Sequence, residues 1–307
     1  MKPLISVIIP VKNEELKIEQ CLKAVFNQSV PPIEVIVVDG HSTDNTVKNA
    51  SQFPVRIFFE DYHTRAGANQ IGIENAIGEF IAFTDADCIP RPDWLEKLVV
   101  EFQDGIVGVG GGILNIGDSI WEKSINIVSD SFLGSANSVQ GRFFQNKKFV
   151  RSISGCNSMY RVSDLISVGG FKTNLQTAED TDLNKRVQKL GKLIYTPNAI
   201  VLHNHKRGIV LFAKRMFQYG NGRAKSKIWD IQTIPPFIAL FTLILLFFNP
   251  VFFLILICSY LLLLILMGFV AMIKEKSIPF FFTVIVIYLI EHIMYSIGFW
   301  MGLLTIS

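Results

Sequence analysis

From Ile234 to its end the chain is almost wholly apolar, and such a stretch has few ways to fold. In hydrocarbon no water satisfies a bare N–H or C=O, so a lone segment must close its own backbone hydrogen bonds, which only a helix does. Three runs are visible, residues 236–248, 251–273 and 279–306, separated by Asn249-Pro250 and by a short stretch holding Lys274 and Lys276. The second is long enough to span, at about 1.5 Å per residue against a core of about 30 Å. The first is short. Either it re-enters, or a span runs on past Asn249 with Pro250 as a kink, and three spans is the favoured count. A buried helical hairpin in a soluble protein is the competing reading. Gly298 and Gly302 form G-x-x-x-G, a pattern for close helix packing. Glu291 and His292 lie near the middle of the third run, where ionisable groups are costly and have a task or a partner.

Residues 1–230 read instead as a globular α/β sequence with ample material for a core. Four cysteines, Cys21, Cys88, Cys156 and Cys258, show no C-x-x-C spacing and read as reduced and structural. The amino terminus has one Lys and a short apolar run broken by Pro10, so it predicts neither a signal peptide nor a span, and the globular part is expected to stay in the cytoplasm.

Apolar runs at residues 4–9, 33–38, 55–59 and 80–84 predict strands. Between them Ile18, Cys21, Leu22, Val25 and Phe26 recur at helical spacing, and residues 66–76 predict a further helix. Strands alternating with helices predict a parallel sheet with right-handed crossovers. Its carboxyl edge then presents Asn13 and Glu14 after the first strand, Asp39 and Asp44 after the second, and Asp85 and Asp87 after the fourth. Ligands bind at that edge in open parallel sheets, and two aspartates one residue apart suit a hard divalent cation carrying a phosphate substrate. Asp39 can accept from a base imide or a ribose hydroxyl. Neither G-x-G-x-x-G after the first strand nor G-x-x-x-x-G-K-[ST] occurs, which disfavours dinucleotide and P-loop readings.

Five motifs in register, SVIIPVKNE, VIVVDGHSTDNT, RAGANQIGIENAIGEFIAFTDADC, SGCNSMYR with Gly169-Gly170-Phe171, and AEDTDL, resemble family 2 inverting glycosyltransferases over residues 4–205. The resemblance implies the A-type glycosyltransferase fold, a Rossmann-like, mostly parallel sheet flanked by helices. It implies a nucleotide pocket lined by Pro10, Asn13, Glu14, Asp39 and Asp44, with Arg65 and Asn69 near the sugar-phosphate. It also implies that Asp85 and Asp87 engage metal, Mg2+ or Mn2+, and diphosphate. The catalytic base falls on Asp180, with Glu179 as the fallback; without the family pattern the spacing of this pair favours an acidic helix start. In some enzymes of this general fold a His at the end of the last strand completes the metal shell, which makes His203 or His205 a candidate ligand. Residues 105–153 predict a strand at 108–112 and helical spacing over 121–133, but name no substrate; acceptor specificity is expected there.

Between Lys206 and Lys227 stand seven basic residues and no acidic ones. Ile209, Phe212, Ala213 and Met216 share a helical face there, so the segment reads as an amphipathic helix on an anionic membrane surface, with nucleic-acid binding disfavoured by the apolar tail. Lys225 and Lys227, with Lys274 and Lys276, then face the cytoplasm by the positive-inside rule. QYGNGR at 218–223 resembles the Q-x-x-R-W element of processive synthases but lacks the Trp, which counts against a polymerase. The stretch HIMYSIGFWMGLL resembles the last membrane segment of bacterial and archaeal family members that build cell-surface polysaccharides.

The expected organisation is a cytoplasmic catalytic domain at 1–205, an interfacial segment at 206–230 and transmembrane helices at 231–307, in a multi-pass protein of the cell membrane. The expected activity is transfer of a sugar from a nucleoside-diphosphate sugar to a lipid-linked or cell-surface saccharide, with membrane lipids as further partners and no nucleic acid. A polyprenyl phosphate is the alternative acceptor. A non-catalytic membrane scaffold is the alternative of another class.

Overall fold

The apolar runs fold as their periodicity directs. In the computed structural model, residues 3–136, 138–139, 142–204, 208–227 and 229–305 are described. Strands are β1 (Ile5–Val11), β2 (Glu34–Asp39), β3 (Arg56–Phe59), β4 (Phe80–Thr84), β5 (Cys88–Pro90), β6 (Ile106–Ile116), β7 (Lys148–Val150), β8 (Asn157–Arg161) and β9 (Lys192–Asn204). Helices are α1 (Ile18–Phe26), α2 (Thr46–Ala50), α3 (Arg65–Asn75), α4 (Trp94–Val99), α5 (Ile120–Ser129), α6 (Phe132–Ser135), α7 (Val162–Ser167), α8 (Glu179–Val187), α9 (Ile209–Lys225), α10 (Ile234–Phe248), α11 (Pro250–Glu275) and α12 (Pro279–Leu304). By internal contacts the chain divides into two units, Met1–Asn115 with Ser138–Asn204, and Ile116–Asn137 with His205–Ser307. Residues 116–137, placed by their sequence position inside the first expected domain, thus fall in the second unit.

In the first unit the strand order is β3-β2-β1-β4-β8-β6-β9-β5, with β7 on β9. The parallel pairing expected of the strand-helix alternation holds for β3, β2, β1 and β4, and stops there. β8 runs antiparallel to β4 and β6, and β5 and β7 run antiparallel to β9, so the sheet is mixed. Ile5, Val7 and Ile9 of β1 face one hydrophobic cluster and Ile8 the other, so the central strand is buried on both sides, as a parallel strand covered by helices must be. Because β2 lies on one side of β1 and β4 on the other, the strand order reverses at β1, and in open α/β sheets ligands bind outside the carboxyl ends of the strands at such a point.

One buried amide fastens the antiparallel half. Asn157 Nδ2 donates to Gly112 O and Ala199 O, both at 2.9 Å, and its Oδ1 accepts from Trp94 Nε1 at 2.8 Å. Asn157→Ala strands three buried polar groups at about 1–3 kcal/mol each. The unfolding midpoint of the full-length protein in detergent is therefore expected to fall well below that of the unaltered chain; an unchanged midpoint would show that water replaces the amide.

In the second unit, Ile231–Phe248, Pro250–Glu275 and Pro279–Leu304 are, among the described residues, helical stretches long and apolar enough to cross a membrane. No helix runs on past Asn249: that residue ends α10, and its side chain accepts from Phe252 N at 3.1 Å to cap α11, with Pro250 in the first turn. The apolar face expected on the basic segment belongs to α9, but it meets protein. Phe212 and Met216 are buried in a cluster with Ile287 and Tyr288 of α12. Gly220 lies on the Tyr295 carbonyl and Gly298 on the Phe217 carbonyl, so close that neither tolerates a Cβ, which explains the small residues of the G-x-x-x-G run. α5, opened by a capping box of Ser119 and Glu122, also meets α12 through Ser124 Oγ and Thr283 Oγ1 at 2.7 Å. His292 finds partners in Tyr260 OH at 2.8 Å and Leu133 O at 3.3 Å, while Glu291 is buried beside Gly134.

Candidate active site

Parallel pairing brings the ends of β1, β2 and β4 to one edge, and each strand delivers polar residues there for a local reason. After β1 the chain turns at Asn13, whose φ of 55° asparagine tolerates better than most residues. Asn13 Oδ1 accepts from Thr43 N and its backbone N–H donates to Ser42 Oγ, both at 2.8 Å, which ties this loop to the one after β2. Asp39 ends β2, fully buried, accepting from Ser42 N at 2.8 Å and Ser42 Oγ at 2.5 Å. Asp44 braces the same loop: it accepts from Thr46 Oγ1 at 2.5 Å, Thr46 N at 2.9 Å and Glu15 N at 3.2 Å. Its hydrogen bonds hold the loop that follows β2 against the one that follows β1. Pro10 pairs with Val38 in the ladder. Glu14 joins Lys17 at 3.0 Å; burial raises its pKa against the pull of that ammonium.

The second group follows β4. Asp85 Oδ1 meets Arg65 Nη2 at 2.5 Å, and Cys21 Sγ donates to the Asp85 carbonyl at 3.3 Å. Arg65 opens α3, where Thr64 caps the helix by accepting from Gly67 N at 2.8 Å. Its other nitrogen, Nη1, lies 3.8 Å from Glu179 Oε1. Burial opposes charge on Arg65, but Asp85, Asp180 and Glu179 outweigh it and hold its pKa well above the usual value. Asp87 Oδ1 meets His203 Nε2 at 3.1 Å, and its Oδ2 lies 4.0 Å from Lys17 Nζ. Burial opposes protonation of His203, and the hydrogen bond it donates to Asp87 overcomes it, so its pKa is raised. Ligand atoms of Asp85, Asp87, Cys88 and His203 lie within 4.8 Å of one another, a spacing and a donor set that fit a cation. His205 lies outside the described residues.

The third group comes from α8. Asp180 Oδ2 accepts from Gly155 N at 2.9 Å, while Oδ1 has no partner among the described residues. A Cβ on Gly155 would stand 2.5 Å from Oδ1, so glycine is what lets this loop close on the carboxylate. Burial pushes Glu179 up to about 7, the neighbouring Asp180 adds to the shift and Arg65 opposes it. Burial raises Asp180 as well, again against Arg65. On α3, Asn69 is buried with both amide atoms unpartnered among the described residues, as is Arg65 Nε. Buried polar atoms of this kind are costly unless water or a ligand completes them. Three residues of this neighbourhood were not legible beforehand as part of it: Lys17, whose one signal is its position three residues after Glu14, and Cys88 and Cys156, which are far apart in sequence.

Residues 6–169 match the model of Glycosyl transferase family 2. Over 322 residues, 98% of this chain and 97% of the relative, the chain is 26% identical to the dolichyl N-acetyl-alpha-D-glucosaminyl phosphate 3-beta-D-2,3-diacetamido-2,3-dideoxy-beta-D-glucuronosyltransferase of Methanococcus voltae. It is 29% identical over 247 residues, 76% of each chain, to glycosyltransferase AglE of Haloferax volcanii. Among solved structures, a mannosyltransferase of Pyrobaculum calidifontis in complex with GDP-Man and Mn2+ gives a TM-score of 0.54 at 22% identity, covering 74% of this chain and 64% of that one. S. aureus TarS gives 0.52 at 17% identity, covering 74% and 67%. At such identities the likeness shows the fold, which is the A-type glycosyltransferase fold. With the family model spanning more than half of its length, the chain belongs to glycosyl transferase family 2 and is a glycosyltransferase.

Proposed function

We propose that this glycosyltransferase moves a sugar, with inversion, from a nucleoside-diphosphate sugar to a hydroxyl of a lipid-linked saccharide at the cytoplasmic face of a membrane. The observation that carries the proposal is Asp180: a buried carboxylate with one oxygen fixed by Gly155 N and the other unpartnered, its pKa raised by burial. A hydroxyl is a poor nucleophile until a positioned base takes its proton, and single displacement with such a base inverts the anomeric centre. Glu179, in the same helical turn, tunes that base through charge. Arg65 holds Asp85 and balances the carboxylates beside the place where the diphosphate departs. Asp39 accepts from the base or ribose, and the two open amide atoms of Asn69 await hydroxyls or phosphate oxygens.

Asp87, His203 and Asp85 are the groups that would hold Mg2+ or Mn2+, an oxygen and imidazole set that suits either ion. When bound, the ion supplies positive charge against the departing diphosphate. Two likenesses support the reading: the Methanococcus relative is named for transfer to a dolichyl-phosphate-linked N-acetylglucosamine, and the Pyrobaculum neighbour binds GDP-Man with Mn2+. Residues 1–205 would carry catalysis, 206–230 would meet the membrane surface and 231–307 would span it, with the basic flanks inside.

The testing experiment measures binding of UDP, GDP and a UDP-sugar to the detergent-purified protein with and without Mn2+. Metal-dependent binding that disappears in Asp85→Ala with Asp87→Ala is the expected result. Absence of any nucleotide binding would overturn the assignment of this edge as the site of a nucleoside-diphosphate sugar.

A further inference from the structure

Cys88 and Cys156 take no part in the transfer just described, yet the fold brings both to its edge. Cys88 begins β5 immediately after the paired aspartates, and in the β5–β9 ladder it lies directly opposite His203. Residues opposite each other on antiparallel strands have side chains about 5 Å apart. Cys156 arrives separately, on the turn closed by Asn157 N donating to Ser154 O, where β8 starts beside β4. Both thiols are buried, and the sulfurs of Cys88 and Cys156 and a ring nitrogen of His203 all lie within 4.8 Å of one another. Tetrahedral Zn2+ with bonds of about 2.3 Å to sulfur and 2.0–2.1 Å to nitrogen needs ligand atoms about 3.5–4 Å apart, so these groups must close by at most about 1.3 Å. Asp87 stands within the same 4.8 Å of Cys88 and His203 but belongs to the neighbouring carboxylate group, without Cys156, so a water or buffer anion takes the fourth position.

We propose that Cys88, Cys156 and His203 form a soft-metal site that takes Zn2+, and that filling it withdraws His203 from the Mg2+ or Mn2+ site next to it. The second half rests on the proposed role of His203 in transfer; the first does not. Thiolate and imidazole ligands favour Zn2+ over Mg2+ and Mn2+, whereas the carboxylates at the strand end suit the harder ions, so two metals of different character share one imidazole. Binding forms two Zn–S bonds and one Zn–N bond in place of three Zn–water bonds, and the two thiol protons, with any proton held on the coordinating ring nitrogen, pass to the buffer. Zn2+ then acts as an inhibitor that Mn2+ does not displace and a chelator removes.

Co2+ serves as the spectroscopic probe. The reduced, chelator-treated full-length protein in detergent, carrying Cys258→Ser to remove the exposed thiol, is titrated anaerobically with Co2+. A thiolate-to-cobalt charge-transfer band is expected, bleached by Zn2+ and left unchanged by Mn2+. It is expected to vanish in Cys88→Ser with Cys156→Ser. If that double variant does not fold, Cys156→Ala alone must weaken the band, and Zn2+ but not Mn2+ must protect the unaltered thiols from a maleimide. No thiolate band, or a band that survives removal of both cysteines, overturns the site. The band reads the site whether or not transfer is measurable. Where Mn2+-supported transfer is measurable, Zn2+ is expected to abolish it over the concentrations that bleach the band, and transfer that persists with the band fully bleached overturns the link through His203.

Discussion

Asp180→Asn is expected to lower kcat by about 10²–10⁴-fold while the donor still binds, the range that a positioned general base contributes. Asparagine keeps the shape and still accepts from Gly155 N through its amide oxygen, so the loop that Gly155 closes on α8 keeps its hydrogen bond. What it cannot do is take a proton. The pH dependence follows with a definite sign. Burial raises both Asp180 and Glu179, the latter to about 7, and a base must be ionised to act. kcat/KM, which reports the free enzyme, should therefore be full above neutrality and fall as pH drops through the titration of the pair. Glu179→Gln should shift that acid limb to lower pH, because a neighbouring carboxylate no longer repels the charge on Asp180. A small effect of Asp180→Asn on kcat would point to an acceptor already anionic, a polyprenyl phosphate, which needs charge positioning and no base.

The first half of the sheet was legible because its grammar is local. Each of β1, β2 and β4 is an apolar run ended by polar residues, and parallel pairing then sends those residues to one edge without further information. β4 spans the residues expected of it, and the helix around Cys21 and Leu22 does as well. The antiparallel half was not legible, because nothing in NSMYR says that it lies beside FIAFT with Asn157 opposite Thr84. That register is decided by partners far away in sequence, among them Trp94, Gly112 and Ala199 around one amide. The same holds for residues 116–137, whose helical spacing was visible but whose partner, α12, begins over 140 residues later. On the basic segment the apolar stripe is visible in the sequence as one helical face, but a membrane surface and a neighbouring helix would cover such a face equally well. Phe212 and Met216 packed on α12, and the glycines at 220 and 298 that let the two backbones touch, show that another helix covers it.

Arg65→Met should cost the most after Asp180, about 10²–10³-fold in kcat/KM at neutral pH, the scale of removing one preorganised charge-stabilising donor. Arg65 meets Asp85 at 2.5 Å and Glu179 at 3.8 Å, and methionine fills a similar volume while leaving those carboxylates to repel one another. Because Arg65 is the cation that draws the pKa values of Glu179 and Asp180 downward, its removal lets both rise further. The acid limb of kcat/KM must then move to higher pH, so the defect is deepest in acid and partly relieved in alkali. Arg65→Lys separates charge from geometry. Lysine restores the attraction, and with it much of the limb's position, but its single ammonium cannot replace a planar fork that reaches Asp85 with one nitrogen and Glu179 with another. A limb restored by lysine alongside a persistent loss of rate would assign Arg65 both tasks, holding the base in its ionised form and fixing Asp85 where the diphosphate leaves. An acid limb unmoved in Arg65→Met would show instead that the two carboxylates of α8 titrate independently of it, and that its part in the site is confined to Asp85.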